Sequence, residues 1–417
     1  MTEEHSLPVL VIGAGISGVT TAVETAEAGR EVLLIDREPV IGGRVIKSYH
    51  YFPKMCPPTC GMELNTRRLE RSPKASVLVG TNAVSATRAD GSWKVTLRTD
   101  PAYVNERCTA CGACSAVCPT KVPDSMNLGM GEVPAIRLPY PHAWPQRNIL
   151  DREACADGCK KCVEVCEFDA IELDAKPVEQ EVEVSSVVIA TGWHPYPLEN
   201  LPELGGGQFP DVIANVNLER LASPWGPTEG KILRPSNGEP PKKVAFIQCA
   251  GSRDVNHLAY CSDICCLASL KQANYVKEQI PDSEVTIYFI DRRTPGRNEA
   301  LLEQMTQTDG VRLVKGKVGK VEQGKGGKLL LKLEDTEGGG LQEVHADLVV
   351  LATGMVPNVD KNLPFSVKTD EDGFALDDPP GGVTVAGVAR RPQDVASSTR
   401  DATGAAARAW MVAEENR

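Results

Sequence analysis

The sequence predicts an α/β protein built from two parallel-sheet units, with a cysteine-rich module inserted into the first. Three observations point there. A glycine-rich turn joins a buried strand to a helix near residue 13, and a second strand–helix–strand run spans residues 242–291. Between Cys108 and Cys266 lie twelve of the 14 cysteines, in three bursts.

The first unit starts with an apolar strand, Leu7–Ile12, followed by the turn Gly13, Gly15 and Gly18. A helix pattern then runs from Val19 to Ala28, and a second strand from Glu31 to Ile35 ends at Asp36. Glycines at these positions let the backbone turn sharply and approach a pyrophosphate, which sits at the helix N-terminus. An acid at the end of the second strand accepts hydrogen bonds from a ribose. Alone, the glycine pattern is weak; with strand, helix, strand and acid in place it is strong. Further along, Gly42, Gly43 and Arg44 resemble the second glycine pair of FAD-binding proteins with two dinucleotide domains, and so select FAD. The segment ending in Thr191 and Gly192 resembles the exit strand of such an FAD domain. The segment Gly382–Gly387, followed by a helix over Val395–Ala413, resembles its return. Val388 follows Gly387 where that pattern commonly has Asp, so the ribityl contact passes to a backbone N–H or to Asp394.

The insert carries Cys108, Cys111, Cys114 and Cys118, then Cys155, Cys159, Cys162 and Cys166. The first run has the spacing that holds a 4Fe-4S cubane, and in two-cluster ferredoxins the fourth cysteine of each run serves the other cluster. One site therefore takes Cys108, Cys111, Cys114 and Cys166, and the other Cys118, Cys155, Cys159 and Cys162. Three residues rather than two open the second run, which calls for a one-residue bulge before Cys159, and Glu167 stands where proline is usual. Zinc is the competing occupant of any four-cysteine set. The long segment between the runs, with Leu138–Pro145 rich in proline and aromatics, reads as a docking surface.

In the second unit, strands over Lys242–Ile247 and Val285–Ile290 flank a helix over Leu267–Gln279, and Asp291 ends the second strand. Thr353 and Gly354 then resemble the crossing back to the FAD domain. The turn after the first strand lacks the glycine pattern, so a pyrophosphate has no cradle and direct NAD(P)H oxidation is not expected. Cys249, Cys261, Cys265 and Cys266 stand there instead. Buried structural thiols and a vicinal disulfide are alternatives; a third 4Fe-4S cluster is the preferred reading, its thiolates favoured by a helix N-terminus. Cys56 and Cys60, in the proline-rich segment Tyr51–Gly61, read as a redox dithiol, as ligands, or as structural residues. Lys54 and Arg44 are candidates to offset negative charge on a flavin or pyrophosphate.

The bulk properties narrow the classes. A net charge of -11 speaks against nucleic-acid binding. Neither a signal peptide nor a membrane span is expected, since Met1–Ser6 is polar and no long charge-poor apolar stretch exists. Tightly spaced cysteines in a chain of 417 residues read as metal ligands in a reducing compartment. The expected domains are an FAD-binding domain in three parts (residues 1–100, 176–240 and 351–417), the ferredoxin-like insert (101–175), and a degenerate NAD(P)-binding-like domain (241–350).

Taken together, the glycine turn with Asp36, the Tyr51–Gly61 segment, the ferredoxin run, and Cys249 followed by Tyr260–Lys271 resemble the heterodisulfide reductase A-subunit family. Within it, they resemble the branch found in the quinone-interacting membrane-bound oxidoreductase complexes of sulfate reducers. The resemblance implies a glutathione/thioredoxin reductase-like fold with two dinucleotide domains, one FAD and three 4Fe-4S clusters, the third on Cys249, Cys261, Cys265 and Cys266. It implies an electron-transferring oxidoreductase component with no acid–base catalytic residue. Its partners would be a second flavin and iron–sulfur subunit, a haem-bearing membrane subunit, and adenylylsulfate reductase as exchange partner. The chain would then be cytoplasmic, attached to the membrane through those subunits. Competing readings are an electron-bifurcating or confurcating heterodisulfide reductase-type subunit, a self-contained NAD(P)H–ferredoxin-type reductase, and a non-catalytic structural or redox-sensing subunit.

Overall fold

Two parallel sheets organise the chain, as expected. The computed structural model describes residues 7–52, 54–359 and 363–415. Met1–Ser6, and Pro53 of the Tyr51–Gly61 segment, lie outside them. In the first sheet Val9–Ile12 is central, flanked by Val32–Asp36 and Ser186–Ile189, with Ala75–Val79 and Val383–Val385 at the edges. The middle strand is fully buried, which is why it reads as an unbroken apolar run. The helices Ile16–Glu27 and Val395–Glu415 pack together on one face, joined through small residues such as Ala22, Ala405 and Ala409.

The second sheet has seven strands, in the order Val212–Ala214, Leu348–Thr353, Lys243–Ala250, Glu284–Phe289, Val311–Gln323, Leu329–Asp335, Leu341–Ala346. The first five are parallel and the last two form an antiparallel extension. Its crossover helix is Cys265–Gln279, beginning two residues before the helix read from sequence. The chain leaves the first domain through Trp193–Pro195 and returns through Met355–Pro357, and these two segments pair antiparallel.

The insert grows from an antiparallel strand pair, Ser92–Thr99 with Val178–Val184. Its ends stay closed by a bridge between Val104 and Ile171. Inside, short helices at Ala113–Val117 and Lys161–Glu164 pack against each other.

The long segment between the two cysteine runs turns its aromatic and apolar side chains partly inward. Met126, Tyr140 and Ala143 join the first domain's core beside Ile41 and Ile46, while Pro141, His142 and Gln146 stay exposed. The Tyr140 hydroxyl donates to the Ile41 carbonyl at 3.1 Å, and the Trp144 carbonyl accepts from the Ile41 N–H at 3.0 Å. Burying these aromatics against its own chain stabilises the fold more than leaving them in water, so the loop becomes a clamp. A second clamp is Arg220, which is fully buried. Its guanidinium donates to Asn127 Oδ1 of the insert at 2.8 Å and to the Lys47 carbonyl of the first domain at 3.2 Å. One side chain thus ties three parts of the molecule together.

Candidate functional site

The glycine turn has the shape of a nucleotide cradle. Gly13 has φ +102°, and a Cβ there would stand 2.5 Å from the Ala190 carbonyl oxygen. A Cβ on Gly18 would overlap the Gly13 carbonyl, whereas at Gly15 the nearest heavy atom, Gly43 Cα, would be 3.9 Å away. Two glycines therefore serve tight packing, and the third leaves space at the N-terminus of the helix Ile16–Glu27. Gly42 donates its N–H to the Ala14 carbonyl at 2.8 Å, bringing the second glycine pair onto the first turn. Asp36 Oδ2 accepts from the Ala14 N–H at 2.5 Å, and Oδ1 from the Glu38 N–H at 2.8 Å. Burial pushes the Asp36 carboxyl above its ordinary value, an effect the two N–H groups only partly offset.

Arg44 adds positive charge. Burial lowers its guanidinium to about 10, and its charged plane lies 4.7 Å from the Trp193 ring centroid. No carboxylate forms an ion pair with it among the described residues. Thr191 Oγ1 and both amide atoms of Gln393 are buried without partners among the described residues. A cradle, a desolvated cation and unpaired buried polar groups fit a pyrophosphate-bearing dinucleotide such as FAD. Gly192 accepts from the Asn358 N–H at 2.9 Å, and Gly387 donates to Asp401 at 2.8 Å. Asp394 Oδ1 accepts the Ser397 N–H at 2.7 Å, capping the last helix.

In the insert, Cys108, Cys111, Cys114 and Cys166 line one small cavity, which Asn148 also lines. Cys118, Cys155 and Cys162 pack in the same small core as Cys114. Burial raises the Cys162 thiol first, and neighbouring Cys155 and Cys114 raise it further, so the two groups lie side by side. Cys159 ends a turn in which its N–H donates to Ala156 and Gly158 takes φ +68°, accommodating the extra residue of the second run.

The second domain brings together Cys249, Cys261, Cys265 and Cys266. Cys249 has φ +56° at the end of its strand, and Cys265 and Cys266 open the crossover helix, both buried. Burial raises Cys265 well above the ordinary thiol value, and the charges of Cys249, Cys266 and Cys261 add to that rise. Cys249 is pushed up to about 11, again by burial first. Cys249, Cys265 and Cys266, each raised first by burial, are poor anions alone and, with Cys261 beside them, suit a strongly cationic centre. Among the described residues no three His, Cys, Asp or Glu side chains converge on a single-ion site. Each cysteine of a cubane binds a different iron, so its four sulfurs spread wider than the ligands of one ion. Thr353 stands at this cysteine group, with its carbonyl 3.7 Å from Cys265 Sγ. Gly354 packs there on Ser252 and Ser262. Arg253, which the sequence did not single out, lies beside Cys249 and pairs with Asp291 at 2.8 Å.

A pyrophosphate cradle is not formed here. A Cβ on Gly251 would lie 2.7 Å from Tyr196, whose ring fills the turn. The adjoining cavity, lined by Cys249, His257 and Lys317, measures about 240 Å³, below the roughly 300–1,000 Å³ of ordinary ligand sites. Cys60 is exposed in the first turn of the helix Pro58–Arg71, and Cys56 precedes it. Burial raises the Tyr51 hydroxyl, and both thiols raise it further, so the pair flanks that ring.

Residues 11–72 match the family described as NAD(P)-binding Rossmann-like domain, and residues 101–124 the 4Fe-4S binding domain. The fold is that of the thioredoxin reductases of T. acidophilum (TM-score 0.52, 16% identity) and Lactococcus lactis (TM-score 0.53, 15% identity). Each of these matches covers 98% of this chain and 99% of the other. The chain is 35% identical over 97% of its length to the A subunit of the ferredoxin/F(420)H(2)-dependent CoB-CoM heterodisulfide reductase of Methanosarcina acetivorans. It is 34% identical over 96% of its length to the A subunit of the H(2):CoB-CoM heterodisulfide,ferredoxin reductase of Methanothermobacter thermautotrophicus. It spans 53% and 63% of the lengths of these two relatives. Among the described residues no helix is long and apolar enough to cross a membrane.

Proposed function

We propose that the chain, a close homologue of heterodisulfide reductase A subunits, is an FAD- and iron–sulfur-bearing electron-transfer subunit of a heterodisulfide-reductase-type oxidoreductase complex. One observation carries this reading: four cysteines converge in the second dinucleotide-like domain, at the turn where a nucleotide cradle would stand. The first domain keeps its cradle. The protein therefore pairs a flavin-type site with cluster-type sites, and the second domain is given over to a cluster rather than to a nicotinamide nucleotide.

When bound, FAD supplies two-electron exchange and each cubane passes one electron at a time. The chain's own residues do the rest. Gly13, Gly15 and Gly18 admit the pyrophosphate, Asp36 accepts from the ribose, and Arg44 opposes negative charge. Cys108, Cys111, Cys114 and Cys166 hold one cluster, Cys118, Cys155, Cys159 and Cys162 the second, and Cys249, Cys261, Cys265 and Cys266 the third. Tyr140 and Arg220 keep the insert at a set distance from the first domain, which a relay requires. The relatives' names, carrying heterodisulfide together with ferredoxin, support a subunit that splits or combines electron pairs between two partners. The finer assignment joins the chain to adenylylsulfate reductase, a second flavin and iron–sulfur subunit, and a haem-bearing membrane subunit; the relatives named above carry the heterodisulfide version instead. In either complex we place the chain in the cytoplasm.

The test is cofactor content after anaerobic purification. One flavin and about twelve iron atoms per chain are expected; fewer than about eight would overturn the three-cluster assignment. Rapid flavin bleaching by NADH or NADPH in the isolated chain would instead favour a self-contained reductase.

A further inference from the structure

Asn148 is 2% exposed and carries a polar side chain that the fold itself leaves half unsatisfied. Its Nδ2 lies 2.9 Å from Cys114 Sγ, and its Oδ1 is buried with no partner among the described residues. It lines the same cavity as Cys108, Cys111, Cys114 and Cys166. A buried amide that makes one bond, to sulfur, and leaves its oxygen unpaired contributes little net stability.

The contacts around the two insert sites differ in their balance of donors and carbonyls. At the first site, besides Asn148, backbone N–H groups of Ala110 and Ala170 reach Cys108 Sγ and Cys166 Sγ, each at 3.4 Å. At the second site, Cys162 has backbone N–H neighbours. Cys118 and Cys155, however, face carbonyl oxygens, those of Thr120 at 3.4 Å and Asp151 at 3.9 Å. Reduction of a cluster adds negative charge that is shared by its sulfurs. An N–H donor stabilises that charge, and a carbonyl opposes it. A ligand sulfur without its proton is an acceptor only, so the Asn148 amide must keep its nitrogen toward Cys114.

We propose that Asn148 is a tuning residue: by donating its side-chain N–H to Cys114 Sγ, it raises the reduction potential of the cluster held by Cys108, Cys111, Cys114 and Cys166. The inference rests on the ligand assignment proposed above and adds to it a site at which the added electron is favoured. Among the described residues its side chain has no other hydrogen-bond partner, so it acts through its ligand sulfur.

The experiment is a redox titration of the whole, anaerobically purified protein, followed by electron paramagnetic resonance, with Asn148→Leu and Asn148→Ala beside the unsubstituted chain. Leucine keeps the volume and removes the donor; alanine removes both. The expected result is that one cluster becomes at least about tenfold harder to reduce in both variants, a fall of about 59 mV for a one-electron centre. Iron content, flavin content and the other cluster potentials stay unchanged. Unaltered potentials in a fully loaded Asn148→Leu protein would overturn the proposal. So would an equal shift of every cluster, or loss of the same iron from both variants, since either marks a structural role. The ligand reading is judged separately: if the unsubstituted protein lacks the insert clusters, that reading fails before any variant is compared.

Discussion

The two dinucleotide-like domains share a plan and differ at one turn. In each, a buried strand leads to a turn, a helix and a second strand with an acid at its end or just past it. In the first, Val9–Ile12 passes within three residues to the helix at Ile16, and Asp36 holds the Ala14 N–H. In the second, Lys243–Ala250 is followed by fourteen residues before the helix at Cys265, and Asp291 holds the Arg253 side chain. The short turn opens the helix directly after Gly15, where a Cβ would meet only Gly43 Cα, at 3.9 Å. The long one folds back, places Tyr196 and Leu201 against Gly251, and delivers Cys261 beside the helix-opening Cys265 and Cys266. The comparison teaches that the parallel sheet supplies the place where a ligand sits, at the carboxyl ends of its strands, while the first turn decides which ligand is taken.

The largest expected effect comes from breaking the first turn. Gly18→Ala pushes a methyl into the Gly13 carbonyl; overpacking here is expected to cost about 3 kcal/mol and to abolish flavin retention, read by absorbance and thermal melting. Next, Cys265→Ser should remove about four iron atoms per chain while leaving flavin and the insert iron in place. Loss of flavin as well would show that the two domains are not independent in their ligands.

A smaller effect is expected at Asp36. Asp36→Asn should weaken FAD binding by about 1.5–3 kcal/mol, the value of a hydrogen bond to a charged group, measured by flavin titration of the stripped protein. Because burial raises the Asp36 carboxyl in the fold, its contribution to the stability of flavin-free protein falls as pH rises from its ordinary value through the raised one. Flavin-free Asp36→Asn should therefore be at least as stable as the parent at neutral pH, and a lower melting temperature would contradict this. Tyr140→Phe removes one buried hydrogen bond of the clamp, worth about 1 kcal/mol. It should appear as faster amide exchange in the insert with little change in the second domain.

The smallest effect lies on the antiparallel extension of the second sheet. Bonds from Lys320 and Lys332 lower the Glu322 carboxyl to about 2. Its stabilisation is complete above its ordinary value of 4.5 and disappears as pH falls toward 2. All three groups are solvent-accessible, so Glu322→Gln should lower the melting temperature only slightly at neutral pH. The difference should close on acidification; a difference that persists at pH 2 would point to packing instead.

Much of the cradle was legible because close backbone approach admits only glycine at Gly13 and Gly18, and a residue type demanded by sterics is visible in a sequence. The cysteine runs were legible for a similar reason, since ligand spacing is local. Asn148 left no trace: it is a common residue, 34 positions from Cys114, and only the folded insert brings its amide to that sulfur. Arg220 and Tyr140 were hidden likewise. The aromatic stretch around Tyr140 read as a surface for a partner because composition records apolar area without saying what covers it. Asp394 read as a ligand contact although, just before a helix, it is better placed to cap its N–H groups.

By itself the sequence determined the two α/β units, the inserted module and the residue types at each turn, because strand burial, helix periodicity and metal-ligand spacing are short-range properties. Only the tertiary structure decided that the loop between the cysteine runs clamps the module to the first domain, and that Arg220 joins three parts of the chain. It also decided that Cys249 meets the helix-opening cysteines and that one insert sulfur receives a side-chain amide. Each of these depends on groups far apart in the chain, and their meeting is set by packing, which no local pattern encodes.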